Sequence, residues 1–290
     1  VKKQVAQTAV GPVALVAAEQ YRPDHERLVR DVLAYQFLPT ATRWVVASTR
    51  WRPMAELMVK ATEARGRGLT ASLLCRKRYV DDKLQEAFAT GTEAVVILGA
   101  GLDTLAYRHA ELSHLRVFEV DLPENIESKR ARLTAVFGRV PDQVRLVPVD
   151  FDTQNLAEVL AAHGYEPTRK TFFSWEGVTQ YLTDEGVRAT FGALAKAASG
   201  SRLVFTYVRK DFLEGRCFYG AERAYQDFKI KRKLWRFGLT PEEVGSVLAE
   251  YGWTELEQMG AAEFDACYVK PTGRALSVSE IERSVHAEKL

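Results

Sequence analysis

The feature that most constrains this chain is a run of five apolar residues, Ala94 to Leu98, that shows no alternation and meets the turn Gly99-Ala100-Gly101-Leu102-Asp103-Thr104. A half-exposed strand alternates and an amphipathic helix spaces its apolar positions, whereas a strand covered by helices on both faces need do neither. The run therefore reads as the middle of a parallel sheet. Gly99 and Gly101 permit backbone angles and close approaches that a side chain forbids. A helix opening at about Leu105 would turn its N-terminal N–H groups and positive dipole end towards whatever rests on the loop. Next comes a second short strand, Arg116 to Val120, closed by Asp121. A carboxylate roughly 20 residues beyond such a loop can accept hydrogen bonds from both hydroxyls of a ribose, so loop and acid together form a nucleoside-binding signature.

The third glycine of the dinucleotide pattern is replaced by Thr104. That glycine serves close helix-to-strand packing beneath a pyrophosphate, so its loss counts against a nicotinamide cofactor and not against adenosylmethionine, which has no pyrophosphate. A nicotinamide-dependent oxidoreductase and a non-catalytic nucleoside-binding module remain the alternatives to a methyltransferase.

Four stretches carry a family resemblance: Arg76-Lys-Arg-Tyr-Val-Asp-Asp82, Ile97-Leu-Gly-Ala-Gly-Leu-Asp-Thr104, Phe118-Glu-Val-Asp-Leu-Pro123 and Trp175-Glu-Gly-Val178 with Tyr181. In that order, over roughly residues 5 to 210, the chain resembles the leucine carboxyl methyltransferase family and its bacterial S-adenosyl-L-methionine-dependent O-methyltransferase branch. It departs at Leu105, where many relatives carry arginine. The resemblance implies an adenosylmethionine site contributed by Arg76, Gly99, Ala100, Gly101, Asp103 and Asp121, with Arg78 as the neighbour of Arg76. The methionine end of that cofactor carries a carboxylate, which arginine can bind through two parallel hydrogen bonds; surface solvation is the other explanation of the Arg76 to Arg78 cluster. Asp150 and Phe151, after the third strand, offer an acceptor for the adenine amino group and a ring face, or else a helix cap, a role better suited to Asp152. Glu176 ends the fourth strand among apolar residues, where a carboxylate wants a cation: the ammonium or sulfonium of the cofactor, or an arginine of the N-terminal cap.

The pattern from Glu93 alternates strand and helix: strands at 94–98, 116–120, 144–149, 170–175 and 202–208, with helices at about 104–110, 123–137, 153–163 and 184–198. This order specifies an α/β fold with a doubly wound, mostly parallel sheet and ligands at the carboxyl ends of its strands. One methyltransferase domain is expected: a helical cap over residues 1–90, a cofactor-binding core over 91–210, an aromatic insertion over 211–238 and a sheet completion over 239–290. Within the cap, helices are expected at Val13 to Gln20, Arg27 to Tyr35, Trp44 to Ala64 and Thr70 to Phe88. The insertion is rich in Phe and Tyr and suits either a mobile wall over a substrate or a packed helix pair. Its basic run, Lys229 to Arg236, reads first as a solvated helical face, with Gly238 ending the helix. Thr240 and Glu243 form a capping box around Pro241. Two strands near 253–258 and 265–270 are expected to return as an antiparallel edge.

Charge and cysteine content narrow the partners. Forty basic against 38 acidic residues leave +2, so no global field favours nucleic acid or a membrane. Cys75, Cys217 and Cys267 lie far apart and form neither a disulfide framework nor a metal knuckle, the five histidines are dispersed, and no metal is expected. Lys2-Lys3 before the small apolar run Val5 to Ala18 imitates a secretory signal, but Gln7, Thr8, Gly11 and Pro12 interrupt it, and a soluble cytoplasmic protein is expected. The acceptor is expected to be a small organic acid, or else a phenolic hydroxyl, held by Tyr207 and Arg209 at the end of the fifth strand.

Overall fold

The computed structural model describes residues 8–290, so Lys2-Lys3 and the start of the signal-like run lie outside the described residues. Seven strands form one sheet in the order β3-β2-β1-β4-β5-β7-β6. They are β1 Ala94–Leu98, β2 Arg116–Asp121, β3 Val144–Pro148, β4 Thr171–Trp175, β5 Arg202–Val208, β6 Trp253–Met259 and β7 Glu282–Lys289. Strands β1 to β5 pair in parallel, while β7 enters antiparallel between β5 and β6. The helices used below are α1 Val10–Glu19, α2 Thr40–Ser48, α3 Arg52–Glu63, α4 Leu69–Ala89, α5 Pro123–Phe137, α6 Leu156–Ala162, α7 Asp184–Leu194 and α8 Pro241–Glu250.

Every residue of β1 is buried, because both sides of the sheet are covered. Val95 and Ile97 join the apolar cluster of the N-terminal helices with Leu74, Leu84 and Phe37. Val96 and Leu98 join the opposite cluster with Phe173, Trp175 and Phe191. The uninterrupted apolar run follows from this two-sided burial. Because the strands are parallel and in register, with Leu98 opposite Val120 and Ile97 opposite Ser174, the loops after β1, β2 and β4 emerge on one edge of the sheet. That edge carries the site.

Five expectations are corrected. The stretch from Trp44 to Ala64 is not one helix: α2 ends at Ser48 and α3 opens at Arg52, with Pro53 in its first turn. The stretch from Arg27 is not a helix until Ala34–Phe37, because side chains satisfy its backbone: Leu28 N–H donates to Glu19, Asp31 N–H to Gln20, and Leu33 and Ala34 N–H to Asp31. The helix before the fourth strand starts at Leu156 and is capped by Asn155, not Asp152, whose carboxylate accepts instead from Thr183. In the insertion, helical backbone runs from Glu222 to Lys231 and stops before Gly238, since Lys233 takes φ +51°. Residues Asp265–Val269 coil helically, and the second returning strand is β7, with the edge position taken by β6. The capping box at Thr240 and Glu243 forms as its spacing requires.

Candidate functional site

A cavity of about 1040 Å³ opens at the carboxyl ends of the parallel strands, beneath α1 and beside α3 and the insertion. Its wall includes Arg76, Gly99, Ala100, Gly101, Asp103, Asp121, Asp150, Phe151 and Glu176. Nine of the ten residues named for the cofactor thus converge on one space. Arg78 does not: it bonds Asp82 at 2.8 Å and lies over the Tyr268 ring, outside the cavity, since it sits two residues along α4 from Arg76 and faces another way.

The loop itself is shaped by close approach. Gly99 has φ +75°, and a Cβ there would sit 2.1 Å from Cγ2 of Val178, so the β1 and β4 loops touch at this glycine. Gly101 has φ +38° and donates its N–H to Oδ2 of Asp121 at 2.6 Å. Oδ1 of Asp121 accepts from Leu122 N–H and from Asn125, each at 2.7 Å. Burial pushes the Asp121 carboxyl upward, while Asn125, Gly101 and Leu122 oppose that shift by favouring the ionised form. The acid is therefore held in one orientation before any ligand arrives.

The helix expected to aim its dipole at the loop is a single turn, Leu105–Arg108. Side-chain cations stand in its place. Lys77 on α4 contacts Asp103 at 2.7 Å and Glu176 at 2.9 Å. Arg76 contacts Glu176 through Nε and Glu282 of β7 through Nη1, both at 2.6 Å. The cap arginine weighed as a partner for Glu176 is therefore Arg76 itself. Five charged side chains form one chain, Glu282, Arg76, Glu176, Lys77 and Asp103, carrying one net negative charge on a wall of the cavity. Burial disfavours the Asp103 carboxylate, but Lys77 and then Arg108 outweigh it and hold the group well below the usual range. Oε1 of Glu282 is buried with no hydrogen-bond partner, so this wall keeps an unused acceptor.

Beneath the loop lies a second charged cluster that faces no solvent. Lys129 of α5 is 1% exposed and Glu119 of β2 0%. Their charged groups are 3.0 Å apart, and Tyr107 donates its hydroxyl to Glu119 at 2.5 Å. Burial pushes Glu119 upward against the pull of Lys129 and Tyr107.

The other half of the cavity is mainly apolar and aromatic, with Met58 of α3, Leu69 and Leu73 of α4, Val208, Phe228 and Trp235, and with Thr62, Arg65, Asp227 and Arg232 among them. The Phe228 and Trp235 rings stack at 4.6 Å and 10°, and Phe212 tilts against Trp235 at 5.9 Å. The aromatic insertion is thus a packed wall. The basic run contributes to it, with Arg236 bonded to Asp152 at 3.0 Å and to the Tyr181 carbonyl, and Arg232 over Phe228. Lys229 to Arg236 is accordingly only in part a solvated face. Tyr207 and Arg209, expected at this mouth, are elsewhere. Strand alternation gives the cavity to Val208 and turns Tyr207 into the opposite core, where its hydroxyl meets Gln258 at 2.9 Å. Arg209 is committed to Asp211 at 2.9 Å and Glu280 at 3.1 Å.

Lys77, Lys129, Glu119 and Glu282 escaped sequence reasoning. Two had a signal: Lys129 stands with Ile126 and Leu133 on the buried stripe of α5, and Glu119 interrupts an apolar strand. A charge at a core position implies a buried partner. Lys77 adjoins Arg76 inside a quoted stretch, but nothing local announced Glu282. Among the described residues, no histidine or cysteine lines the cavity, no group of acids, histidines or cysteines is placed to hold a metal, and no helix is long and apolar enough to cross a membrane.

Known proteins share the sequence pattern and the fold of this chain. Residues 9–195 match the family model described as leucine carboxyl methyltransferase. A protein of Streptomyces avermitilis named a putative S-adenosyl-L-methionine-dependent methyltransferase is 30% identical over 91% of this chain and 88% of its own length. One of Mycolicibacterium smegmatis with the same description is 30% identical over 89% and 88%. Among solved structures, a putative methyltransferase from Thermobifida fusca superposes with a TM-score of 0.59 at 15% identity, covering 92% of this chain and 97% of that one, a likeness of fold alone.

Proposed function

We infer the reaction from a plain premise: this chain belongs to the leucine carboxyl methyltransferase family and is an S-adenosyl-L-methionine-dependent methyltransferase. The nicotinamide and non-catalytic readings of the loop give way to that membership. Within it, we propose O-methylation of a carboxylate on a small organic acceptor. The observation that carries this is the composition of the cavity wall: among the described residues it holds no histidine or cysteine, and its acids Asp103, Asp152, Glu176, Asp227 and Glu282 each face a lysine or an arginine. A hydroxyl nucleophile needs a base at hand, whereas a carboxylate is ionised at neutral pH and needs only to be oriented.

The residues present fit the cofactor. Asp121 offers a fixed carboxylate beside the loop, Phe151 and Asp150 border the same space, and Glu282 keeps a buried acceptor without a partner. In this reading Asp121 accepts from the ribose hydroxyls and Asp150 with Phe151 borders the adenine. Glu176 and Glu282 would receive the ammonium, and Arg76, whose Nε and Nη1 those two acids already hold, would offer the methionine carboxylate its Nη2 in place of the two parallel hydrogen bonds expected. When bound, the cofactor supplies a methyl group already activated by its sulfonium. The protein's work is then to align the attacking oxygen and exclude water, which suits the apolar half formed by Met58, Leu73, Phe228 and Trp235.

Methyl transfer from labelled adenosylmethionine to a panel of organic acids and phenols, followed against pH, tests the proposal. Carboxylate acceptors should be methylated down to mildly acidic pH, until they protonate. Transfer confined to phenols or alcohols at alkaline pH would overturn the carboxylate reading.

A further inference from the structure

We propose that Lys129 is a positioning residue for the cofactor loop, its buried ammonium tethering the carbonyls of Ala100 and Asp103 where no long helix follows to hold the turn. Lys129 Nζ lies 2.5 Å from the Asp103 carbonyl oxygen and 3.5 Å from that of Ala100. It also stands 3.0 Å from the Glu119 carboxylate and 5.6 and 5.5 Å from the ring centres of Phe37 and Tyr107. An ammonium out of water is strongly disfavoured unless its surroundings are polar and complementary. Here a carboxylate, two carbonyls and two ring faces supply that complement, and the two carbonyls belong to the loop.

The tether acts on one side of the site more than the other. Asp103 gives its carbonyl to Lys129 and its carboxylate to Lys77, and Lys77 leads on to Glu176 and Arg76. The Asp121 side has two holds of its own, Leu122 N–H and Asn125, and meets the tether only through the Ala100–Gly101 peptide, whose carbonyl is 3.5 Å from Lys129 and whose N–H donates to Asp121. Removing the ammonium should therefore loosen the groups facing the methionine end more than those facing the ribose, because the 2.5 Å contact is to Asp103 and the contact to Ala100 is long. This rests on the cofactor reading given above.

The test compares the Lys129→Met variant and the Glu119→Gln/Lys129→Met double variant with the unaltered protein, titrating adenosylhomocysteine and 5′-methylthioadenosine, which lacks the amino-acid end. The amide that replaces the Glu119 carboxylate preserves an acceptor for Tyr107, and the double change leaves no unpaired buried charge. Titrations are run well below the melting temperature of each variant. In the double variant adenosylhomocysteine should weaken roughly tenfold or more, as when a charge-assisted hydrogen bond is lost, and methylthioadenosine by less than about threefold. A global loss of stability would leave the ratio of the two affinities unchanged. Equal losses for both ligands, or full affinity for both in the folded double variant, would overturn the proposal. Absence of adenosylhomocysteine binding to the unaltered protein would instead strike at the cofactor reading.

Discussion

The two halves of the cavity are built on opposite plans. The half at the ends of β1, β2 and β4 is made of charges that already hold one another, Arg76 between Glu176 and Glu282, Lys77 between Glu176 and Asp103. The half formed by α3, the start of α4 and the insertion is mainly Met, Leu, Phe and Trp side chains, which offer area and shape, with Arg65, Asp227, Arg232 and Arg236 among them. A paired wall accepts one ligand geometry because its groups cannot move without leaving a buried charge exposed to nothing. An apolar wall can be reshaped by substitution without touching the other half. On the reading proposed above, the charged half serves the cofactor and the mainly apolar half the acceptor.

The sharpest way to break this contrast is Arg76→Ala. It leaves Glu176 and Glu282 without their guanidinium and should lower stability by about 3–5 kcal/mol, the cost of breaking a buried ion pair. Denaturant unfolding measures it, and a loss below about 1 kcal/mol, typical of surface pairs, would mean that the wall is not held by its charges. Arg78→Ala, two residues along the same helix, should sit in that small range.

Asp121→Ala should cost about 1–3 kcal/mol of adenosylhomocysteine affinity, read by calorimetry. The same residue predicts a pH dependence. Burial raises its carboxyl above the ordinary aspartate value, so it takes up a proton sooner as pH falls. Cofactor affinity should then decline on descending through that raised value, whereas folding stability moves the other way, the ionised form costing stability as pH rises through the window between the ordinary and the raised value. Asp121→Asn should flatten both dependences.

On the apolar side, Phe228→Leu should raise the acceptor concentration needed for half-maximal rate by roughly tenfold, as loss of pocket area does, with adenosylhomocysteine affinity unchanged. A parallel loss of cofactor affinity would join the two halves into one unit. Smallest of all, Arg209→Ala should leave acceptor kinetics as they are, because Asp211 and Glu280 already occupy its guanidinium.

The same contrast explains what could be read from the residues. The cofactor side is assembled from strand ends and the turns that follow them, so local pattern and register bring Gly99, Asp121, Asp150 and Glu176 together, and Arg76 is legible through the family's motif. The acceptor side depends on how α3 and residues 208–236 pack over those ends, and no short-range signal encodes that. Tyr207 and Arg209 suit an acid by their chemistry and their place at a strand end, but the alternation of β5 turns Tyr207 into the core, and Asp211 and Glu280, which no local pattern announces, hold Arg209. Strand β7 hid for a related reason: its sequence, Glu-Arg-Ser-Val-His-Ala-Glu-Lys, is mostly polar, and only its insertion between β5 and β6 buries Ser284, Val285, His286 and Ala287.

That insertion also bears on how the protein is made. During synthesis β5, which ends at Val208, emerges well before β7, which begins at Glu282, and until then its outer edge presents unpaired N–H and C=O groups. At about 5–20 residues per second, the ribosome leaves that edge open for roughly 4–15 s. Throughout the interval Arg76 lacks Glu282, so the nascent chain has both a sticky flank and an incomplete cofactor wall, and chaperone engagement should peak there and fall once Lys289 has cleared the ribosome.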